Sequence, residues 1–241
     1  MISFSTHKYA KRFFTKLCLA LVIISPNVFA DSDETILVIG GTGRVGSEIV
    51  KALHREGYKN ISVLSRSNNN RSRLKDLDIK YLQGDILSEK DVKQIFSGDS
   101  YNVVINAVAK VGESLNPHAI GQVNLSKWSK INDSKHFILI GSVGSGPDPQ
   151  DSIWREILIA KGLAEQSLIH SGLNYTIIKT GIIVYDDTPA TNKAFLSDNI
   201  DIVGKVTRKD LALLTVNCVL NNSCMNSVLN AIDESLGSIS N

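Results

Sequence analysis

Between residues 36 and 232 the chain alternates short apolar runs with longer amphipathic ones. The short runs are Ile36–Ile39, Asn60–Leu64, Ile79–Leu82, Asn102–Ala109, His136–Ser142, Asn174–Gly181 and Ser227–Ile232. Each has the length and the turn-rich borders of a strand, and Asn102–Ala109 is apolar on both faces, as a central parallel strand is. The intervening segments carry helical spacing. Val45, Ile49, Val50 and Leu53 fall on one face of a helix running to about Gly57. Further helices are predicted over Asp91–Phe96, Pro117–Asn132, Ser152–His170 and Asp210–Leu220. In the second of these, Ile120, Val123, Leu125 and Trp128 are available to the core. Residues 182–205 mix polar and apolar positions without a period and predict an irregular flap. Two stretches predict exposed loops: Asn68–Arg73, and Val143–Gln150 with its two glycines and two prolines. Strand and helix alternate throughout, so the fold class is α/β with a single doubly wound parallel sheet. No repeat and no interdomain linker interrupts it.

The first strand runs straight into Gly40-Gly41-Thr42-Gly43-Arg44-Val45-Gly46. Glycines at 40, 43 and 46 suit a tight turn, a close backbone approach to a phosphate, and close packing of helix on strand. A helix starting there aims unpaired N–H groups and its positive dipole end at the turn, which suits a pyrophosphate. The spacing is G-x-x-G-x-x-G, and the flanking strand and helix supply the context that a bare glycine pattern lacks.

The strand ends carry the remaining candidates. Ser65 and Arg66 close the second strand, where such folds meet the adenosine ribose. A hydroxyl and a guanidinium fork match a 2′-phosphate, whereas an acidic residue would repel one. Arg44 adds a second positive group. The expected cofactor is therefore NADP, with NAD the weaker candidate; a plain surface arginine is the other reading of Arg66. Asp85 and Ile86 follow the third strand, where a carboxylate suits either the adenine amino group or a helix cap near Ser88. The small Ala107 and Ala109, with Val108 between them, leave room for a nicotinamide ribose. Ser142 ends the fifth strand in a hydroxyl.

Charge and cysteine content change the picture mainly at the N-terminus. The first 30 residues hold Lys8, Lys11, Arg12 and Lys16 and no acid, then an apolar run from Leu17 to Ile24, then Val28-Phe29-Ala30. This predicts a signal peptide over residues 1–30, cleaved after Ala30, with the dinucleotide-binding domain over 31–241. An organelle transit peptide is the alternative, and the apolar run is too short for a stable membrane span. Lys11-Arg12 resembles a twin-arginine export motif with Lys in the first place; the ordinary export route is favoured. The formal net charge of +2 becomes −2 once those four basic residues leave. No basic stripe remains, so nucleic acid is a poor partner. The expected location is the periplasm or outside the cell. Cys218 and Cys224 are too few for a metal site; they are either a small disulfide loop or two free thiols.

Taken together, Gly40–Gly46, Leu64-Ser65-Arg66, Gly84-Asp85, Asn106-Ala107, Ser142, Lys161–Glu165, Ser171–Thr176 and Thr207–Ala212 resemble the atypical short-chain dehydrogenase/reductase superfamily. Within it they resemble the NAD(P)H-binding group of NmrA-like proteins and biliverdin/flavin reductases. The resemblance implies a Rossmann-type NAD(P)-binding fold. It implies that Gly40, Thr42, Gly43, Arg44, Val45, Gly46, Ser65, Arg66, Asp85, Ile86, Ala107, Val108, Ala109 and Lys161 hold the cofactor. It also implies Ser142 and Lys161 as the catalytic candidates. In that superfamily a Tyr four residues before the Lys donates a proton; this chain has Ile157 there, and isoleucine cannot. Two functions follow as expectations. One is a reductase passing hydride to a small-molecule acceptor such as a flavin, quinone or carbonyl compound. The other is a non-catalytic dinucleotide-binding sensor or assembly protein that docks a protein partner.

Overall fold

The computed structural model describes residues 33–109, 116–150, 153–184 and 188–237. The predicted signal peptide lies outside them. Fifteen regular elements follow in order: β1 Ile36–Ile39, α1 Arg44–Arg55, β2 Ile61–Ser65, β3 Lys80–Gln83, α2 Glu89–Gly98, β4 Val103–Asn106, α3 Asn116–Ile131, β5 His136–Ser142, α4 Arg155–Ile169, β6 Tyr175–Thr180, β7 Ile182–Ile183, β8 Phe195–Ser197, β9 Lys205–Val206, α5 Arg208–Asn217 and β10 Ser227–Ile232. Two single 3₁₀ turns, Arg71–Leu74 and Glu234–Leu236, complete the set.

The main sheet has the order β3-β2-β1-β4-β5-β6-β10-β8. All its pairings are parallel except β10 with β8. The order reverses between β1 and β4, which places the crevice beyond their C-terminal ends. The doubly wound α/β sheet expected from the pattern is thus present, with an antiparallel edge strand added. Among its described residues the segment 182–205 is mostly irregular, as expected, but it also supplies β8 to the sheet edge, while β7 pairs with β9 apart from it. Strands of two or three residues are too short to show a period.

Two apolar layers sandwich the sheet. On one face, Ile49, Val50 and Leu53 of α1 and Leu211 and Ala212 of α5 pack on Val38, Val63, Ile105 and Ile138. On the other, Val92, Leu125, Ala164 and Leu168 from α2, α3 and α4 cover Ile39, Val104 and Phe137. Ile120 and Val123 do not join this core. They are 48% and 51% exposed, beside Leu163 of α4. Several boundaries have local causes. β4 stops at Asn106, short of Ala109, because the Asn106 Oδ1 accepts the Val108 N–H at 3.0 Å and turns the chain. α2 starts at Glu89 because the Ser88 hydroxyl accepts the Asp91 N–H at 3.2 Å. Among the described residues no helix is long and apolar enough to cross a membrane.

Cys218 and Cys224 form a disulfide that closes the turn between α5 and β10. Of the two readings left open by the sequence, the bridged one is found. The turn is also held by buried His136, whose Nδ1 accepts the Leu220 N–H at 3.2 Å. Nδ1 being the acceptor, Nε2 carries the proton, and it lies 2.8 Å from the Thr176 hydroxyl. Thr176 in turn donates to the Cys224 carbonyl at 2.7 Å.

Candidate functional site: a cleft at the sheet reversal

The glycine turn leads directly from β1 into α1. Gly40 sits at φ +72°, where a side chain is strained. The Gly43 N–H donates back to the Gly40 carbonyl at 2.8 Å, and Ser47 N–H makes the first helical bond to Gly43 at 2.9 Å. A Cβ on Gly46 would lie 2.8 Å from both the Gly40 carbonyl carbon and the Gly41 Cα. Only a glycine lets the helix start this close to the strand. Gly43 caps α1 without a side chain, and no acid occupies the first turn. The opening amides and the positive dipole end therefore face the turn.

This turn forms the floor of a cleft of about 630 Å³. The cleft is lined by Gly40, Thr42, Gly43, Arg44 and Val45, by Ser65, Arg66, Asp85 and Ile86, and by Ala107, Val108 and Ala109. These are all the cofactor-side residues named from the sequence except Gly46 and Lys161. Gly46 is buried directly beneath the turn. Ser67, Asn69, Asn70, Pro117, Ile183 and Arg208 also line the cleft and were not anticipated. Asp85 is the one carboxylate in the described lining, against the guanidinium groups of Arg44, Arg66 and Arg208. Its Oδ1 accepts the Leu87 N–H at 3.0 Å and its own N–H donates to Asp91. Asp85 thus turns the chain ahead of α2, while Ser88 caps the helix. The Ser65 hydroxyl donates to the Ser67 carbonyl at 2.8 Å, and Arg66 is exposed at the rim.

The stretch Asn68–Arg73 is more than a solvated loop. The Arg73 Nη1 donates to the Thr42 carbonyl of the glycine turn at 2.8 Å. The Arg71 guanidinium lies 4.4 Å from the Tyr81 ring centroid. The first contact fastens the loop after β2 to the turn after β1, and the second fastens it to β3. No spacing rule foretells them, because each depends on where the sheet places β3.

Ser142 and Lys161 lie outside the described lining of the cleft. The Lys161 side chain borders a separate cavity of about 10 Å³ with Asn106, His118 and Gly141, and Val108 lines both spaces. That volume suits a single water. Burial pushes the Lys161 ammonium down to about 8, with the Glu165 carboxylate pulling the other way. Glu165 itself accepts from the Ser145 hydroxyl and lies 3.2 Å from the Lys179 ammonium. The same Ser145 hydroxyl lies 2.6 Å from the Ser142 carbonyl, so its one proton is shared between the two acceptors. A Cβ on Gly141 would lie 2.9 Å from the Glu165 carboxylate, and one on Gly162 2.7 Å from the Gly146 nitrogen. The loop after β5 is therefore clamped to α4, and its first part is not the freely exposed segment expected.

The arrangement can hold a dinucleotide: a glycine-lined backbone cradle, a helix N-terminus, and cations at the rim of one crevice. Comparisons with known proteins agree. The chain is 28% identical over 206 residues to the photosystem II assembly factor Ycf39 of Cyanophora paradoxa, covering 76% of this chain and 61% of that protein. It is 26% identical over 149 residues to an NAD(P)H azoreductase of Xenophilus azovorans, covering 62% and 48%. The chain thus spans only about half to three-fifths of the length of these relatives. Among solved structures it resembles ChuY, an anaerobillin reductase from Escherichia coli O157:H7. The TM-score there is 0.73 at 19% identity, over 85% of this chain and 100% of that one. The family model described as NAD(P)H-binding matches residues 40–222, the span that carries the cleft, and the chain belongs to that NAD(P)H-binding family.

Proposed function

We propose that the chain is an exported reductase that takes hydride from NADPH and passes it to a flavin, quinone or carbonyl acceptor. One observation carries the reading: the cleft does not end at the cofactor-side residues. It continues to a wall of Pro117, Ile183 and Arg208, which leaves a second molecule somewhere to sit. The relationship to an azoreductase supports the same chemistry.

The nicotinamide ring, when bound, supplies the hydride. The protein's part is orientation. The turn Gly40–Gly46 cradles the pyrophosphate, Ser65 and Arg66 take the 2′-phosphate, and Asp85 and Ile86 face the adenine. Ala107, Val108 and Ala109 leave space for the nicotinamide ribose; Lys161 is assigned to that ribose from the adjoining small cavity, which shares Val108 with the cleft, and Ser142, outside the cleft lining, is assigned to the acceptor by the resemblance alone. Ile157 cannot protonate a product. Flavins and quinones suit such a site because solvent can protonate them. Export is supported by the basic, acid-free N-terminus and by the Cys218–Cys224 bridge, which persists in an oxidising compartment.

A second reading is favoured by one specific observation. The Tyr of the superfamily's proton-donating pair is absent, and Lys161 faces its own small cavity. On that reading the dinucleotide-loaded protein docks a protein partner, as the assembly-factor relative suggests. Turnover separates the two. The chain starting at Asp31 is titrated with NADPH and NADH by calorimetry, then assayed with flavins, quinones and aldehydes. The reductase reading requires acceptor-dependent NADPH oxidation that Lys161→Ala reduces and Tyr175→Phe leaves intact. Tight binding with no oxidation across the panel rejects it in favour of the docking protein.

A further inference from the structure

The peptide joining Thr42 to Gly43 is gripped at both ends. Its N–H donates to the Gly40 carbonyl at 2.8 Å. Its carbonyl accepts from the Arg73 Nη1, also at 2.8 Å. In a planar trans peptide these two groups point in opposite directions, so the opposed hydrogen bonds fix the plane between them. The next residue, Arg44, opens α1. The tilt of that one plane therefore sets the direction from which the first turn of the helix meets the cleft. Thr42 lines the cleft and Arg73 lies outside the described lining, so the Thr42 carbonyl oxygen is drawn towards the loop after β2. Turned inward, that oxygen would oppose an anion with its own partial negative charge.

Arg73 reaches the turn from a loop that has anchors of its own. Its neighbour Leu74 is buried in the same apolar layer as Ile49 and Leu53 of α1. The Arg73 N–H donates to the Asn70 carbonyl and the Leu77 N–H to the Leu74 carbonyl, each at 3.1 Å. Arg71 rests on the Tyr81 ring, and the Ser65 hydroxyl holds the Ser67 carbonyl. None of these contacts passes through the Arg73 guanidinium. The loop that brings Ser67, Asn69 and Asn70 to the cleft therefore keeps its place without that group. The Thr42–Gly43 peptide, by contrast, loses one of its two opposed holds.

We propose that Arg73 is a positioning residue for the pyrophosphate: it touches no nucleotide and acts by holding the Thr42 carbonyl out of the cleft. The proposal rests on the placement of the pyrophosphate at the glycine turn, and it gives Arg73 a different task from Arg66, whose target is the 2′-phosphate. Three probes separate the tasks. NADPH carries both the pyrophosphate and the 2′-phosphate, NADH carries the pyrophosphate alone, and adenosine 2′-monophosphate carries the 2′-phosphate alone. Calorimetry on the chain starting at Asp31 gives the dinucleotide affinities, and displacement of NADPH gives that of the monophosphate. Arg73→Met should weaken NADPH and NADH by the same factor, about tenfold, and leave adenosine 2′-monophosphate unaffected. Arg73→Lys, which keeps a cationic donor, should recover most of the loss. Where the monophosphate does not displace NADPH from the parent chain, the equal factor and the lysine rescue decide. A disordered loop would instead weaken all three probes, and a direct contact with the 2′-phosphate would spare NADH. Either result overturns the proposal, as do unchanged dinucleotide affinities in Arg73→Met or a loss that Arg73→Lys does not relieve. A parent chain that binds neither dinucleotide overturns the placement of the pyrophosphate, and the proposal with it.

Discussion

Two glycines three residues apart should fail in different ways when each becomes alanine. At Gly46 the new methyl carbon would press hardest on the Gly40 carbonyl oxygen and lie 2.8 Å from two backbone carbons, none of which can rotate away. An ordinary contact needs roughly 0.6 to 1 Å more, so α1 must lift from β1 by about that much. The lift loosens Ile49, Val50 and Leu53, all fully buried. A gap of that size forfeits a quarter to a half of the dispersion attraction along their sheet-facing sides, roughly 2–3 kcal/mol in total. At Gly43 the methyl meets only the Gly40 oxygen, at 3.0 Å, and the residue already has an ordinary extended conformation at φ −69°. Its cost to folding is about 1 kcal/mol, the usual penalty for alanine at a helix start. That methyl does, however, occupy the path by which a phosphate reaches the turn. Losing one charge-assisted contact costs roughly 1.5–3 kcal/mol, about ten- to a hundredfold in affinity. Urea unfolding of the ligand-free chain and calorimetric titration with NADPH and NADH read the two effects separately. Gly46→Ala should lower the urea midpoint strongly. Gly43→Ala should nearly keep it and lose both nucleotides. If Gly43→Ala binds them as tightly as the parent chain, the backbone cradle is wrong.

Arg66→Asp should weaken NADPH about ten- to a hundredfold more than NADH, measured by the same titration; equal losses refute the 2′-phosphate assignment. Replacing Cys218 and Cys224 together with serine should cost about 2 kcal/mol in urea unfolding, from the loop entropy returned to the unfolded chain, and an unchanged midpoint refutes a bridge in the purified protein. His136 predicts an acid sensitivity. Burial lowers its pKa from 6.5 to about 4. The unfolded chain then binds the proton at higher pH than the folded one, so stability is full above about pH 6.5, falls through the window and levels off near pH 4. The loss is about 3 kcal/mol. His136→Gln should flatten that part of the stability profile, and an unaltered slope assigns it to other groups.

Legibility in the sequence followed the kind of contact that makes each part. β5 and β10 are found over the residues their apolar runs marked, His136–Ser142 and Ser227–Ile232. Ile120 and Val123 have the spacing of core residues and yet face outward. Spacing assigns residues to a helix face but does not say which face meets the sheet, and Leu125 took the buried side. A sequence separation of six between Cys218 and Cys224 admits both a bridge and free thiols; the turn imposed by α5 and β10 brings their Cα atoms to 5.5 Å. Arg73 reaches Thr42 across 31 residues, a contact that exists only once β1, β2 and β3 are side by side.

The same distinction separates the two halves of the cleft. A pyrophosphate is held by main-chain N–H groups, and a main chain can come that close only where side chains are missing. That requirement writes itself into the chain as Gly40, Gly43 and Gly46, within one local stretch. The far wall works through side chains. Pro117, Ile183 and Arg208 come from three segments, and they meet because α5 packs against α1 while β7 pairs with β9. No local pattern can encode such a meeting, since each residue alone is an ordinary member of its own element. Families that share the glycine turn can therefore differ freely in what they reduce. The turn is constrained by one cofactor backbone, whereas the wall can change residue by residue without disturbing it.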